Sequence, residues 1–206
     1  MLEWYRSGAD YRHMLRDTEA LVLALAGRLK LGTTISYQGQ RIDLTPPWLV
    51  VSVRQSFLEA AGWDPAACYD AARFDHDMVT KVIPAFNLHR PTIFSDFPRE
   101  AASLARLKPD DPAVAERAEV FIAGLELANA YSELTNSVEQ RQRFQDEAAQ
   151  IEREQGRRTA LPERFLAALA HLPDCGGIAL GVDRLAMLFS DAGTIDDVLA
   201  FTVDTV

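Results

Sequence analysis

Residues 177–184 read GIALGVDR and combine positions of close backbone approach with a charged group that could bind a phosphate. Small and apolar residues alternate at the start of this segment, which predicts a buried strand that another molecule can approach closely. Asp183 stands where a helix N-cap is expected, and Arg184 falls in the first turn of a helix over residues 185–190. A positive charge there is disfavoured by the helix dipole, so its presence suggests a specific role such as binding a phosphate. The alternative is a glycine-rich strand packed on a helix, with Arg184 in an ordinary ion pair.

Three glutamates, Glu119, Glu126 and Glu133, recur every seven residues along the segment AEVFIAGLELANAYSEL. A spacing of seven returns to one face of a helix, so an exposed helix with a charged stripe is one interpretation. A β-hairpin is the other, because residues 120–122 form a β-type run and Gly124 offers a reversal. A hairpin would set the first two glutamates on one face of neighbouring strands. Their carboxylates would then repel unless a cation such as Mg²⁺, bridging phosphates, lay between them.

The composition limits the classes of function that these groups can serve. The 206 residues are 48% hydrophobic and 25% charged, which is typical of an ordinary globular protein. A net charge of -9 argues against broad, sequence-independent binding of nucleic acid. No apolar run approaches the roughly 20 residues that span a bilayer, and the start resembles no signal peptide. Cys68 and Cys175 lie far apart, so we interpret them as small core residues of a reduced, cytoplasmic protein without zinc chemistry.

Hydrophobic periodicity predicts the elements that must position these groups. Strands are expected over residues 1–6 and 93–97 and a small hairpin over residues 33–44; helices are expected over residues 9–30, 53–61, 70–82, 137–155 and 161–171. Asn136 with Glu139 predicts a capping box for the helix that begins at residue 137. No internal repeat or linker is visible, so we expect a single α+β domain over residues 1–206.

The run GLELANAYSELTN at residues 124–136 resembles the matching segment of the lysyl-tRNA synthetases, which are class II aminoacyl-tRNA synthetases. It resembles still more the elongation factor P lysine ligase, a synthetase paralogue without an anticodon-binding domain. The likeness extends to MLEWYR at residues 1–6, RPTIFSDFP at 90–98, LPDCGGIALGVDRLAML at 172–188 and IDDVLAF at 195–201. It covers the chain from end to end and implies the class II antiparallel sheet flanked by helices.

The resemblance implies roles for individual residues. Glu119 and Glu126 resemble the acidic residues that hold Mg²⁺ on the ATP phosphates. Glu133 resembles the carboxylate that receives the side-chain ammonium of lysine, and Tyr5 matches a tyrosine that contacts the amino acid. The implied cofactors are therefore ATP and Mg²⁺. A buried carboxylate suits this ligand, because an ammonium that leaves water needs a charge partner.

The segment GIALGVDR at residues 177–184 resembles motif 3 of the class II synthetases, in which a glycine-rich strand lies under ATP. The resemblance implies four nucleotide-binding positions. They are Glu126, Leu127, Gly181 and Arg184, and Arg184 resembles the catalytic arginine that holds the γ-phosphate of ATP. Trp4, in contrast, we expect to pack in the core.

The chemistry that the resemblance implies is amino-acid activation, in which the carboxylate of lysine or β-lysine attacks the α-phosphorus of ATP. Transfer to elongation factor P is the expected second step. Lysylation of tRNA, or a non-catalytic module that binds nucleotide or lysine, is the alternative. Ala179 stands where lysyl-tRNA synthetases carry glycine and matches the alanine of the protein ligases. With the acidic net charge, this favours a protein amine over tRNA as the acceptor.

The segment MLEWYR resembles the second strand of motif 2, and here it is the N-terminus. We therefore expect a chain that is N-terminally truncated, without motif 1, which forms the dimer interface, and without the first half of motif 2. That half carries the arginine that neutralises the α-phosphate. The expected consequences are feeble adenylation by the chain alone, and self-association as a homo-oligomer or dependence on an N-terminal partner.

Overall fold

The computed structural model describes residues 1–202, which form eight strands and six α-helices. The strands are β1 (Leu2–Ser7), β2 (Thr34–Tyr37), β3 (Gln40–Asp43), β4 (Leu49–Ser52), β5 (Thr92–Pro98), β6 (Val114–Ile122), β7 (Leu125–Ser132) and β8 (Cys175–Leu180). The α-helices are α1 (Tyr11–Arg28), α2 (Val53–Ala61), α3 (Ala71–Asp77), α4 (Ser137–Gln155), α5 (Glu163–Leu169) and α6 (Val182–Ser190). A π-helical segment, Met78–Val82, extends α3, and single 3₁₀ turns lie at Ile83–Ala85, Arg99–Ala101 and Ile195–Val198.

Six strands form one sheet in the order β1-β8-β7-β6-β5-β4, and β2 with β3 forms a separate hairpin. Neighbours in the large sheet are antiparallel except β4 and β5, which are parallel. Within residues 1–202 the outer edge of β1 has no strand partner. A mainly antiparallel sheet flanked by helices confirms the predicted α+β class.

The two faces of the sheet are covered to different extents. One face packs on α1, the β2–β3 hairpin and α6 through a core that includes Met14, Val22 and Ile42. The other face is covered by α2 and α3 where they meet β5 and β6, with Phe57 stacked on Phe74, and at the start of β6 by Ala102 and Ala105, which pack on Ala115. The remainder of this second face, over β6, β7, β8 and β1, carries polar side chains. We call this region the open face.

The segment with the three glutamates is a hairpin and not a helix. β6 and β7 meet at Ala123 and Gly124, whose φ angles are +51° and +80°. Positive φ at both central residues is the signature of the tight turns that match strand twist. The local helix preference of the alanines and leucines is overridden because β5 and β8 pair with this hairpin on both sides.

Most predicted elements are confirmed. The sequence analysis did not predict β4, and the other differences from the structure concern helix ends. The helices over residues 53–61 and 137–155 have the predicted bounds. Residues 161–171 form a shorter helix, α5, because Pro162 occupies its N-cap position. The N-cap of α6 is Gly181 and not Asp183, because β8 already ends at Leu180; Arg184 still lies in the first turn.

Two further expectations need correction. The side chain of Asn136 does cap α4, but Glu139 pairs with Arg143 at 2.6 Å and does not complete a capping box. Cys175 is buried as predicted, whereas Cys68 is exposed in the turns between α2 and α3, so its core assignment was wrong. Both thiols are free. In the part of the chain that the structure describes, no helix has the length and hydropathy needed to cross a bilayer.

Candidate functional site

A bulge in β7 decides which side chains share the open face. The pairing of β6 with β7 shifts between Val120 and Phe121, so that Leu127 is an extra residue in β7. Side chains alternate along a strand, so Glu126 and Glu133, which are an odd number of positions apart, would otherwise lie on opposite faces. The extra residue restores them to the same face, and Leu127 itself joins the core on the other side.

Two rows of cross-strand partners cross the open face, because residues directly opposite each other on antiparallel strands share a face. The first row is Glu3, Ala179, Asn129 and Glu119, and the second is Tyr5, Gly177, Tyr131 and Arg117, each in the order β1, β8, β7, β6. Neighbouring rows on a strand are roughly 7 Å apart. Sequence reasoning missed Glu3, Asn129 and Arg117, since only the strand register shows that they lie beside the predicted residues.

Glu119 lies deep in the open face, with 5% of its surface exposed. Its Oε1 accepts hydrogen bonds from Arg117 Nη2 at 2.7 Å and from Asn129 Nδ2 at 3.4 Å. The pKa of Glu119 is raised to about 7: burial has the largest effect, the charge of Arg117 lowers the pKa, and the charge of Glu126 raises it. The two carboxylates therefore repel each other, as the hairpin interpretation predicted.

These carboxylates fit a magnesium ion that is delivered with a nucleotide. Among residues 1–202, no group of three or more His, Cys, Asp or Glu residues is arranged to hold a metal ion. Mg²⁺ commonly takes one or two carboxylates and completes its shell with phosphate oxygens and water. Glu119 and Glu126 supply that number of carboxylates. Burial is the main reason that the pKa of Glu119 is raised, and a cation beside the pair would relieve the smaller contribution from the charge of Glu126.

The residues predicted to bind the nucleotide line a cleft of about 440 Å³ beside the end of β8. The lining includes Glu126, Leu127, Gly181 and Arg184. Arg184 Nη1 donates to the backbone oxygen of Glu126 at 2.6 Å and lies 3.3 Å from Glu126 Oε2. The side chains of this ion pair are nearly half exposed. Arg184 is thus held at the cleft by a contact that solvent already reaches, and a phosphate could replace it.

A second cleft, of about 210 Å³, brings together the two residues predicted to bind the amino acid. Tyr5 and Glu133 line it with Gln140 and a group of apolar residues, Leu104, Leu134, Phe165, Leu169 and Leu172. Burial alone raises the pKa of Glu133 to about 7, because no cationic side chain within residues 1–202 compensates it. A carboxyl in this state fits a ligand that brings its own positive charge.

The raised pKa values of Glu119 and Glu133 predict a stability that falls as the pH rises. The folded chain keeps protons on these carboxyls that the unfolded chain releases near its ordinary pKa of 4.5. The free energy of unfolding should therefore decrease between about pH 4.5 and about pH 7 and then level off. Tyr5 and Cys175 face Glu133 but titrate at higher pH. Denaturant unfolding of the Glu133→Gln variant should show a smaller decrease; an identical pH profile would contradict the assignment.

Known proteins resemble the chain along nearly all of its length. The profile described as tRNA synthetases class II (D, K and N) matches residues 1–205. The lysine–tRNA ligase of Moorella thermoacetica is 38% identical over 225 residues, which cover 98% of this chain and 45% of that protein. The lysine–tRNA ligase of Thermosynechococcus vestitus is 36% identical over 223 residues, which cover 97% of this chain and 44% of that protein. The chain thus spans less than half the length of these curated relatives.

Proposed function

The chain belongs to the class II tRNA synthetases (D, K and N), and from this premise we propose that it activates lysine with ATP. The observation that carries the proposal is Glu133, a partly buried carboxyl at one end of the open face that no cationic side chain within residues 1–202 compensates. Arg184 and the Glu119–Glu126 pair lie toward the other end, beside β8. The relatives are named as lysine–tRNA ligases, which supports lysine as the amino acid.

In the proposed reaction the lysine carboxylate attacks the α-phosphorus of ATP, a bond forms between them, and pyrophosphate leaves. Such reactions depend on positioning and on neutralising charge more than on covalent help from side chains. Glu133 would hold the ammonium, and Tyr5 would lie along the carbon chain. Arg184 would exchange its contact with Glu126 for a terminal phosphate oxygen. Mg²⁺, held by Glu119 and Glu126, would offset the negative charge of the phosphates.

Exchange of labelled pyrophosphate into ATP tests this reaction. It is measured with the chain alone and with a supplied polypeptide that carries motif 1 and the first half of motif 2. With the supplied polypeptide present, we expect lysine to stimulate the exchange and norleucine, which has the same carbon chain without the ammonium, to leave it unchanged. Equal stimulation by both amino acids would contradict lysine activation.

For the second step we propose transfer of lysine or β-lysine to a protein amine, on elongation factor P, in the cytoplasm. The support for this choice is the match of Ala179 to the alanine of the protein ligases. Ala179 lies beside Asn129 and lines the cleft of about 440 Å³, not the cleft that holds Glu133. The net charge of -9 also disfavours a large contact with a polyanion such as tRNA. The relatives' printed name makes tRNA the second candidate acceptor.

A direct comparison of the two acceptors separates these candidates. We expect labelled lysine to appear on elongation factor P and no salt-sensitive shift of tRNA in a gel, because tRNA binding needs clustered Lys and Arg. Binding of tRNA that weakens with salt, followed by its lysylation, would overturn the protein acceptor. Lysine activation itself would then stand unchanged.

A further inference from the structure

Gly177 lies at the centre of the open face, between Tyr5 on β1 and Tyr131 on β7. A Cβ atom at this position would overlap Oε1 of Glu133 and would lie 2.8 Å from Cε1 of Tyr5. Separations under about 3 Å are far inside van der Waals contact, so a side chain here must displace one or both groups. The space above Gly177 is therefore the space that the Glu133 carboxylate and the Tyr5 ring occupy.

We propose that Gly177 is a positioning residue that determines specificity for an ammonium-tipped side chain. Its missing side chain lets the Glu133 carboxylate lie over β8 against the Tyr5 ring, which fixes the charged end of the amino-acid cleft. The identity of the ligand rests on the proposed function. The placement of the carboxylate rests on the geometry alone.

The backbone conformation at position 177 does not require a glycine. Gly177 is absent from the glycines with positive φ within residues 1–202, and it pairs in register on both sides, so other residues could adopt its backbone. The adjacent Gly176 differs, because a Cβ there would lie 2.7 Å from the backbone oxygen of Asp10, at the start of α1. A methyl group at position 176 would strain the packing of a helix, whereas the three atoms nearest to one at position 177 all belong to the side chains of Glu133 and Tyr5.

A methyl group at position 177 should therefore move Glu133 while the fold is kept. The rest of the cleft lining is apolar apart from Gln140, so the displaced carboxylate has its best solvation outside the cleft. Tyr5, which is 64% exposed, borders that route to solvent. Once the Glu133 carboxylate leaves this position, burial should no longer raise its pKa, and the pKa should fall.

The test is the titration of the Glu133 carboxyl carbon by NMR in the 206-residue chain without any ligand. We expect a pKa of about 7 in the unmodified chain and a fall toward the ordinary 4.5 in Gly177→Ala. The matched control is Gly27→Ala in α1, because nothing lies within 4 Å of the added Cβ there, and its Glu133 should titrate as in the unmodified chain. A Glu133 pKa that Gly177→Ala does not change would overturn the proposal.

A ligand measurement separates this inference from the proposed function. The preference for lysine over norleucine should fall by on the order of a hundredfold in Gly177→Ala, to the level of Glu133→Gln. If the pKa falls but the unmodified chain shows no preference for lysine, the positioning of Glu133 is supported and lysine recognition fails. If Gly177→Ala unfolds too readily for NMR, addition of Glu133→Ala should restore its unfolding midpoint; no restoration would overturn the proposal.

Discussion

Glu133→Gln is expected to remove most of the affinity for lysine and to leave the affinity for Mg–ATP unchanged. The substitution keeps the size of the side chain but removes the charge that a desolvated ammonium needs. Loss of one partner of such a pair costs about 3 kcal/mol or more, which corresponds to a Kd on the order of a hundredfold higher. Titration calorimetry with lysine, and separately with Mg–ATP, measures both effects.

The control for this prediction is Glu154→Gln, which makes the same chemical change at an exposed position on α4. It should bind lysine as the unmodified chain does. Unchanged lysine affinity in Glu133→Gln would remove Glu133 from the amino-acid site. Equal losses for lysine and for Mg–ATP would point instead to a general disturbance of the open face.

Arg184→Ala is expected to weaken the binding of Mg–ATP while the binding of AMP is kept. Arg184 lies in the first turn of α6, just beyond β8, and contacts Glu126 through a half-exposed ion pair that a terminal phosphate can replace. Charge-assisted hydrogen bonds of this kind contribute about 1.5–3 kcal/mol, so the Kd for Mg–ATP should rise about tenfold to a hundredfold. Competition calorimetry with ATP and AMP separates a terminal-phosphate contact from a contact with the rest of the nucleotide.

Arg158→Ala is the matched control for Arg184→Ala, because the side chain of Arg158 is 90% exposed and pairs only with Glu152 among the described residues. It should leave both nucleotides unaffected. An equal loss of ATP and AMP affinity in Arg184→Ala would mean that Arg184 contacts a different part of the nucleotide, or acts through Glu126.

Sequence periodicity predicted most elements because most of them, such as α1, bury a stripe of apolar residues at the spacing of their own secondary structure. The hairpin at Gly124 could be predicted from the sequence, since a glycine after a β-type run marks a reversal. The bulge at Leu127 could not be predicted in this way. A slip of one residue changes which face every later side chain takes, and only the pairing of β7 with both of its neighbours fixes it.

The sequence predicted which charged residues form the candidate site, but it did not predict which side chains contact them. The repulsion between Glu119 and Glu126 followed from their spacing on a hairpin. Arg117, which donates a hydrogen bond to Glu119, did not, because its partner depends on the side-chain directions across β6 and β7. Gly177 was predicted as a position of close approach. The groups that approach it, Glu133 and Tyr5, come from segments far away in sequence.

The most direct test of lysine activation is calorimetry of a non-hydrolysable lysyl-adenylate analogue with the 206-residue chain, compared with the corresponding norleucyl analogue. Both analogues fill the nucleotide cleft equally, so their difference isolates the ammonium and its contact with Glu133. The lysyl analogue is expected to bind on the order of a hundredfold more tightly, with release of protons below about pH 7 as Glu133 ionises. Equal affinity for the two analogues would contradict recognition of lysine at this site.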